Sequence, residues 1–358
     1  MHGPTVGIYD DRGLDGAATH ERPGQRSLAE GFAARVVAGH PRLDVGCGAG
    51  RYTGVLGRPV LGLDASAVML DACRARVPGA RLVLGDLEAL PFARGSLGGA
   101  WSWMSHLHLP KVRLPSALWD LHRVLAVGAP IELQVLAGTY EGDDLEGDEV
   151  GGRYLAGWGE SDLIDVVTGA GFEVADRSVV VDGDELRLRA VRARTLADTV
   201  GAGMRLLVCG LNPSLYAADA GVGFARPGNR FWPAALAAGV VTRDRDPLHA
   251  LRVDRVGMTD QVKRATRAAD ELTAAEYRSG LLRLERLVGW LRPGAVCFVG
   301  LAGWRVAAGR HAVAGVQPGL LGGRPVYVMP STSGLNARST PDDLAGHLRA
   351  ALDLADRS

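Results

Sequence analysis

The chain has 358 residues, 47% of them hydrophobic and 22% charged, a length that suits two domains of ordinary size better than one core. Its 40 Lys+Arg and 40 Asp+Glu cancel, yet residues 204–358 hold 20 basic against 13 acidic side chains and residues 1–203 hold 20 against 27, so only the second half has the charge sign suited to a phosphate backbone. No low-complexity tract, signal-peptide pattern, membrane-length apolar run or Cys/His cluster at metal spacing occurs, which excludes disordered, secreted, membrane-spanning and zinc-held classes and predicts a cytoplasmic protein with no metal site.

Residues 1–26 are rich in glycine and aspartate and predict a loose segment. Apolar residues at helical spacing predict a helix over 27–38, followed by a strand at Arg42–Val45, a glycine turn and a helix from about Arg51. Strands at Val60–Leu63, Ala80–Leu84, Gly99–Ser102 and Pro130–Leu136 alternate with helices at Ala67–Arg76 and Pro115–Leu125. The acidic, glycine-rich stretch Gly138–Gly152 predicts a surface loop or lid, and helix Ser161–Ala170 with strands Phe172–Val181 and Glu185–Ala193 completes a domain over 27–195. This alternation predicts a parallel doubly wound sheet. Small and glycine residues predict a linker at 196–203. A second strand-first cycle fills 204–358, with strands at Leu206–Cys209, Ala295–Val299 and Val326–Met329 and helices at Arg230–Ala238, Ala274–Leu291, Gly303–Ala308 and Asp342–Ala355. The fold class is therefore α/β in two domains, a Rossmann-like one followed by a three-layer α/β/α one. Cys47, Cys73, Cys209 and Cys297 stand far apart in apolar or glycine-rich settings and predict buried reduced thiols.

In the first domain, L-D-V-G-C-G-A-G at Leu43–Gly50 places glycines at 46, 48 and 50 directly after a strand, where they permit a tight turn and close approach of backbone to a cofactor. Asp64 ends the next strand, where a carboxylate can accept from both hydroxyls of a ribose, and Asp86 with Leu87 follows the third, where it can take an adenine amino group. The alternative for Asp44 and Asp64 is ordinary strand-end turn chemistry. A dinucleotide-binding oxidoreductase is disfavoured, because G-x-G-x-x-G is absent: position 51 is Arg and 53 is Thr. The glycine turn with Asp64 and Asp86 resembles the class I S-adenosylmethionine methyltransferases over most of 27–193. The resemblance implies S-adenosylmethionine as cofactor, with Asp44 near its amino-acid end. The nucleobase signatures of that family, an Asp/Asn-Pro-Pro-aromatic loop or a Pro-Cys nucleophile, are missing from W-S-W-M-S-H-L-H-L-P. H-L-P at His108–Pro110 resembles small-molecule methyltransferases, and His106 or His108 can accept a proton. A capping or packing histidine is the alternative. The methyl acceptor is not specified.

In the second domain, G-L-N-P-S at Gly210–Ser214, F-A-R-P-G-N-R-F-W at Phe224–Trp232, R-V-G-M-T-D-Q-V-K-R-A-T-R-A-A-D-E-L-T at Arg255–Thr273 and M-P-S-T-S-G-L-N at Met329–Asn336 occur in order. The first and last follow apolar strands, where open α/β sheets bind ligands. Together they resemble the mismatch-specific uracil-DNA glycosylases, the mug and thymine-DNA glycosylase branch of the uracil-DNA glycosylase superfamily. The resemblance implies a cofactor-independent base-excision repair enzyme acting on uracil, thymine or ethenocytosine opposite guanine in double-stranded DNA. Asn212 would hold the water by its amide oxygen; Leu211, Ser214 and Phe224 would form the base pocket, Phe224 stacking on the extruded base. Ser331, Thr332, Ser333 and Arg338 would meet the DNA backbone, while Gly334 frees the loop and Leu335 enters the base stack. Arg226, Arg230, Lys263, Arg264 and Arg267 form a candidate basic rim. Lys111 and Lys263 are the only lysines, which disfavours a Schiff-base lyase.

The expected protein is a monofunctional DNA glycosylase fused to a methyltransferase-like domain. Two alternatives stand: a small-molecule methyltransferase as the main activity, and a non-catalytic mismatch-binding lesion sensor.

Overall fold

Short apolar runs bounded by glycine, aspartate or proline give parallel strands in both halves, as sheets covered on both faces require. The structure, a computed structural model, describes residues 3–12, 24–148 and 150–358. The chain divides into two units, Met1–Thr168 with Phe172–Ala193, and Gly169–Gly171 with Arg194–Ser358.

The first unit contains α1 (Gly3–Arg12), α2 (Gln25–Ala33), β1 (Arg42–Val45), β2 (Val60–Asp64), α3 (Ala67–Arg76), β3 (Arg81–Leu84), β4 (Gly99–Trp103), α4 (Leu114–Val124), β5 (Pro130–Ala137), β6 (Glu141–Gly142), β7 (Leu155–Trp158), α5 (Glu160–Gly169), β8 (Phe172–Asp182) and β9 (Glu185–Arg192). Strands β3-β2-β1-β4-β5 are parallel in that order, and β9 lies antiparallel along β5 with β8 beyond it. The strand order reverses at β1 and β4, so their carboxyl ends flank the crevice in which such sheets bind ligands. Behind the crevice Phe32, Tyr52 and Trp101 are buried together, and Trp101 stacks on Trp103 at 4.8 Å. Glu132 on β5 is 1% exposed and is neutralised by Arg35 at 3.0 Å, with Arg187 and Arg189 of β9 nearby.

Two expectations for this unit change. The opening segment, read as loose, contains α1, whose Thr5 is buried and accepts the Tyr154 N–H at 3.0 Å. The helix expected from Arg51 is a run of turns, with the Val55 N–H donating to the Tyr52 carbonyl at 2.8 Å. Gly50, Gly54 and Gly57 crowd that stretch ahead of Pro59, and the loss of helix propensity outweighs its apolar spacing.

The second unit contains β10 (Leu206–Gly210), α6 (Leu215–Ala220), α7 (Phe231–Ala237), α8 (Pro247–Arg252), β11 (Val256–Asp260), α9 (Ala274–Leu291), β12 (Ala295–Val299), α10 (Leu301–Ala307), β13 (Gly315–Leu321), β14 (Arg324–Met329) and α11 (Pro341–Asp356). The sheet runs β11-β10-β12-β14-β13, parallel except for the edge strand β13. Its core joins Val208, Cys297 and Met329 of the sheet to Phe231 and Trp232 of α7 and Leu344 and Leu348 of α11. Thr273 and Glu276 close a capping box that starts α9, and Thr340 with Asp343 does the same for α11.

Residues 196–203, expected as a linker, are packed into this unit. Thr199 and Met258 exchange backbone hydrogen bonds at 2.8 Å each, Val200 is buried, and Asp198 enters an internal ion cluster. Small residues there serve close packing, not freedom. All four cysteines are buried and unpaired, and no helix among the described residues is long and apolar enough to cross a membrane.

Candidate functional site

In the first unit the predicted residues meet at the carboxyl ends of β1 to β4. Gly46, Gly48 and Gly50 all have left-handed φ values, +66°, +51° and +79°. A Cβ at Gly46 would come within 2.4 Å of Ser105 Cβ, and one at Gly50 within 2.5 Å of Cys73 Sγ, whereas one at Gly48 would meet nothing within 4 Å. Two of the glycines thus serve packing, and the third leaves open ground over the turn. Beside it Asp64 accepts the Gly48 N–H at 2.8 Å and the Ser66 N–H at 2.9 Å. Burial raises the pKa of its carboxyl against these hydrogen bonds. Asp44 is pushed up to about 7 by burial and accepts the Thr53 hydroxyl at 2.7 Å. Asp86 accepts the Glu88 N–H at 3.0 Å next to the buried Leu87.

The two histidines separate. His106 is 1% exposed, its Nδ1 lies 2.5 Å from Ser102 Oγ, and burial takes its pKa down to about 4. It is a packing residue beneath the turn, which corrects its candidacy as a base. His108, also brought down to about 4 by burial, donates from Nδ1 to the Tyr154 carbonyl at 2.9 Å and turns Nε2 to the Tyr9 hydroxyl at 3.1 Å.

In the second unit Asn212 follows β10. Its amide nitrogen donates to the Thr266 hydroxyl at 2.8 Å and to the carbonyls of Arg264 at 3.0 Å and Pro213 at 3.2 Å. These acceptors fix which way the amide points. Among the described residues Oδ1 has no donor, nor do the N–H groups of Leu211 and Phe224 have an acceptor. The Leu211 side chain packs against α10, where Gly303 leaves it room. Ser214 caps α6, its hydroxyl accepting the Ala217 N–H at 3.2 Å. Phe224 has φ +57° and stacks on Phe231 at 4.2 Å. With Thr199, Met258, Thr259 and Asp260 it lines a small cavity of about 20 Å³, to which Asn212, Leu211 and Ser214 do not contribute.

Asp260, not singled out from the sequence, ends β11 and faces that cavity. Its side chain has no hydrogen-bond partner among the described residues, and burial pushes its carboxyl up to about 6 against the opposing charge of Lys263. A Cβ at Gly210 would lie 2.3 Å from Asp260 Oδ1, so glycine on the neighbouring strand makes room for the carboxylate. The available signal was M-T-D at a strand end, hidden inside a block read only for its likeness. Beneath it Asp198, 3% exposed, binds Lys263 at 2.7 Å, Arg283 at 2.8 Å and the Thr259 hydroxyl at 2.7 Å. Burial works against this carboxylate, but the Arg283 and Lys263 charges hold its pKa below the usual range.

The loop after β14 presents Leu335, 91% exposed. Arg230 braces it from below, its guanidinium donating to the carbonyls of Ser339 and Asn336 at 2.6 Å and Ser333 at 3.2 Å. Ser331 and Ser333 hydroxyls accept the N–H groups of Ser333 and Leu335 at 3.2 and 3.3 Å, shaping the turn. Gly334 lies close to a neighbouring turn, since a Cβ there would stand 3.0 Å from the Gly228 carbonyl oxygen. Four expectations are corrected: Thr332 is 1% exposed and cannot present its side chain, Arg230 is spent on the loop, Lys263 on Asp198, and Arg264 on Glu276 at 2.6 Å. Arg226, Arg267 and Arg338 remain exposed.

Each unit is thus an α/β sheet with its candidate polar groups gathered at the carboxyl ends of its parallel strands. Comparison with known families separates the two. Residues 43–128 match the methyltransferase domain family, and residues 198–353 match the uracil DNA glycosylase superfamily. The chain carries a methyltransferase domain at its amino terminus and a uracil DNA glycosylase superfamily domain at its carboxyl terminus. Among solved structures it is similar to the 1,6-didemethyltoxoflavin-N1-methyltransferase of Burkholderia thailandensis, bound to 1,6-didemethyltoxoflavin and S-adenosylhomocysteine, at 19% identity over 52% of this chain and 84% of that one with TM-score 0.41. It is also similar to a TehB-like S-adenosylmethionine-dependent methyltransferase of Corynebacterium glutamicum (22% identity, 52% and 97% coverage, TM-score 0.39) and to one of Mesorhizobium loti (20%, 50% and 100%, 0.39).

Proposed function

We propose that the second unit is a monofunctional glycosylase that hydrolyses the bond from deoxyribose to uracil mispaired with guanine in double-stranded DNA. The observation that carries this reading is the Asn212 amide, whose two N–H groups are taken up by protein acceptors and whose oxygen is left free to hold a water. Phe224 stacks on the extruded base, and the N–H groups of Leu211 and Phe224 donate to the anion that leaves. Asp260, paired across the sheet with Gly210 two residues before Asn212 and ionised above about pH 6, takes the proton of the water as its oxygen bonds to the sugar carbon and the carbon–nitrogen bond breaks. Lys263, the only lysine near this end of the sheet, is held by Asp198, which disfavours a Schiff base. Leu335 fills the gap in the duplex.

For the first unit we propose binding of S-adenosylmethionine and methylation of a small-molecule acceptor. The open ground over Gly48 beside a carboxylate suits that cofactor: Asp64 would hold its ribose, Asp86 its adenine, and the 46–50 turn its backbone-facing side. When bound it supplies an electrophilic methyl group. His108, whose Nε2 faces the Tyr9 hydroxyl, would accept the proton of the acceptor.

Base release from duplexes bearing G·U, G·T, A·U or ethenocytosine under single-turnover conditions tests the first proposal. Release from G·U that disappears in Asn212→Ala supports it. Tight binding to the mismatch without release from any duplex points to a lesion sensor.

A further inference from the structure

The methyltransferase mechanism leaves α1 unused, although it sits on the site. Asp10 accepts the Ser66 hydroxyl at 2.6 Å, and Ser66 is both the N-cap of α3 and a donor, through its N–H, to Asp64. The neighbouring Tyr9 donates its hydroxyl to His108 Nε2 at 3.1 Å, accepts from Arg153 at 2.9 Å, and meets the His108 ring edge to face at 5.6 Å. Ser66 follows β2 and His108 follows β4, and β1 lies between those two strands in the sheet. The last turn of α1 therefore bridges the two sides of the glycine turn that β1 leads into. Arg153 is itself anchored on Asp148, and Thr5, one turn earlier, accepts the Tyr154 N–H at 3.0 Å.

We propose that α1 is a cover over the methyl-donor site, latched by Asp10 on Ser66 and by Tyr9 on His108 and Arg153, and that the donor and its demethylated product exchange only when the latches open. Three features favour a gate over a fixed wall. Among the described residues, the hydrogen bonds that hold the last turn of α1 to the site run from side chain to side chain. They end on residues next to Asp64 and on the histidine assigned to the acceptor. The exposure of Asp10 lets water compete for its latch. The inference rests on the methyl-donor reading of this unit.

The test uses the full chain and S-adenosylhomocysteine, with association and dissociation rates measured by stopped-flow fluorescence and the affinity by calorimetry. Tyr9→Phe and Asp10→Ala each remove one latch, and circular dichroism and melting establish that both variants are folded. Each is expected to speed dissociation about 3- to 10-fold, the range for one hydrogen bond, and association in parallel, so that affinity changes less than either rate. Amide exchange of residues 3–12 should slow when S-adenosylhomocysteine is bound. Rates equal to wild type in both folded variants overturn the cover while leaving the donor site intact. A wild-type chain that binds no S-adenosylhomocysteine overturns the donor site and the cover together.

Discussion

Asp260→Asn removes a charge from the second unit while keeping the shape of the side chain. In the folded protein burial lifts this carboxyl from 3.8 to about 6, so the native state holds its proton more tightly than the unfolded chain does. At 1.36 kcal/mol per unit, the ionised carboxylate opposes folding by about 3 kcal/mol. Because the raised pKa means that the unfolded chain releases the proton first, wild-type stability falls as pH rises from about 4 to about 6 and then levels off. The asparagine variant lacks that slope. Urea unfolding at several pH values should give curves that meet near pH 4 and separate by up to about 3 kcal/mol in the variant's favour above pH 6. Uracil release moves the other way. A positioned base contributes about 10²-fold or more, so single-turnover release should drop by about that factor, and the rise of the wild-type rate through about pH 6 should vanish. A variant that is no more stable at neutral pH and releases uracil with an unchanged pH profile refutes the assignment of an unpartnered, functional carboxylate.

Gly48→Ala places a methyl group on the open ground over the turn, and its left-handed φ adds about 1 kcal/mol of strain; affinity for S-adenosylhomocysteine should fall about 10-fold or more while melting shifts little, whereas Gly46→Ala, driven into Ser105, should lose stability first. Leu335→Ala, at a position 91% exposed, should leave stability within about 0.5 kcal/mol and slow uracil release from duplex DNA far more than from single strands. Asp198→Ala leaves Arg283 buried without its carboxylate, and denaturation should show a loss of about 3–5 kcal/mol at neutral pH. That gap should close as pH falls through the depressed pKa of Asp198, below the usual carboxylate range. If Arg226, Arg267 and Arg338 are the arginines that meet phosphates, the slope of log affinity against log salt should be about −2.7, at ~0.9 per contact, and a slope near zero would remove them from the interface.

The strands and long helices were legible because their residues obey one local rule at a time. Ala274–Leu291 and Ala295–Val299 were readable to the residue, the second from an unbroken apolar run between glycines. What escaped reading was structure made by distant partners. α1 is glycine-rich and polar, and its helix is held by Tyr154, His108 and Ser66. The 196–203 segment has linker composition, yet Thr199 pairs with Met258 and Asp198 serves two cations that lie 65 and 85 residues away in sequence. β13 escaped because its exposed, glycine-rich alternation lacks a buried face, pairing along only one edge.

The candidate sites teach a sharper distinction, between residue types that suit a chemistry and groups that still have capacity for it once the chain has folded. Asn212, Ser214, Thr332 and Lys263 all lie in segments that resemble a glycosylase, but folding spends them differently. Ser214 caps a helix, Thr332 is enclosed, and Lys263 neutralises Asp198. Only Asn212 is bound in a way that commits one end of the amide and frees the other. Asp260 shows the converse, since nothing local marks it. It becomes a candidate because Gly210 on the adjacent strand lacks the Cβ that would displace its carboxylate, and because the cation closest to it in sequence has been claimed by Asp198. A buried network that occupies Lys263 and Arg283 one layer below thus leaves Asp260 without a direct partner, and with it the raised proton affinity that a base working near neutral pH requires.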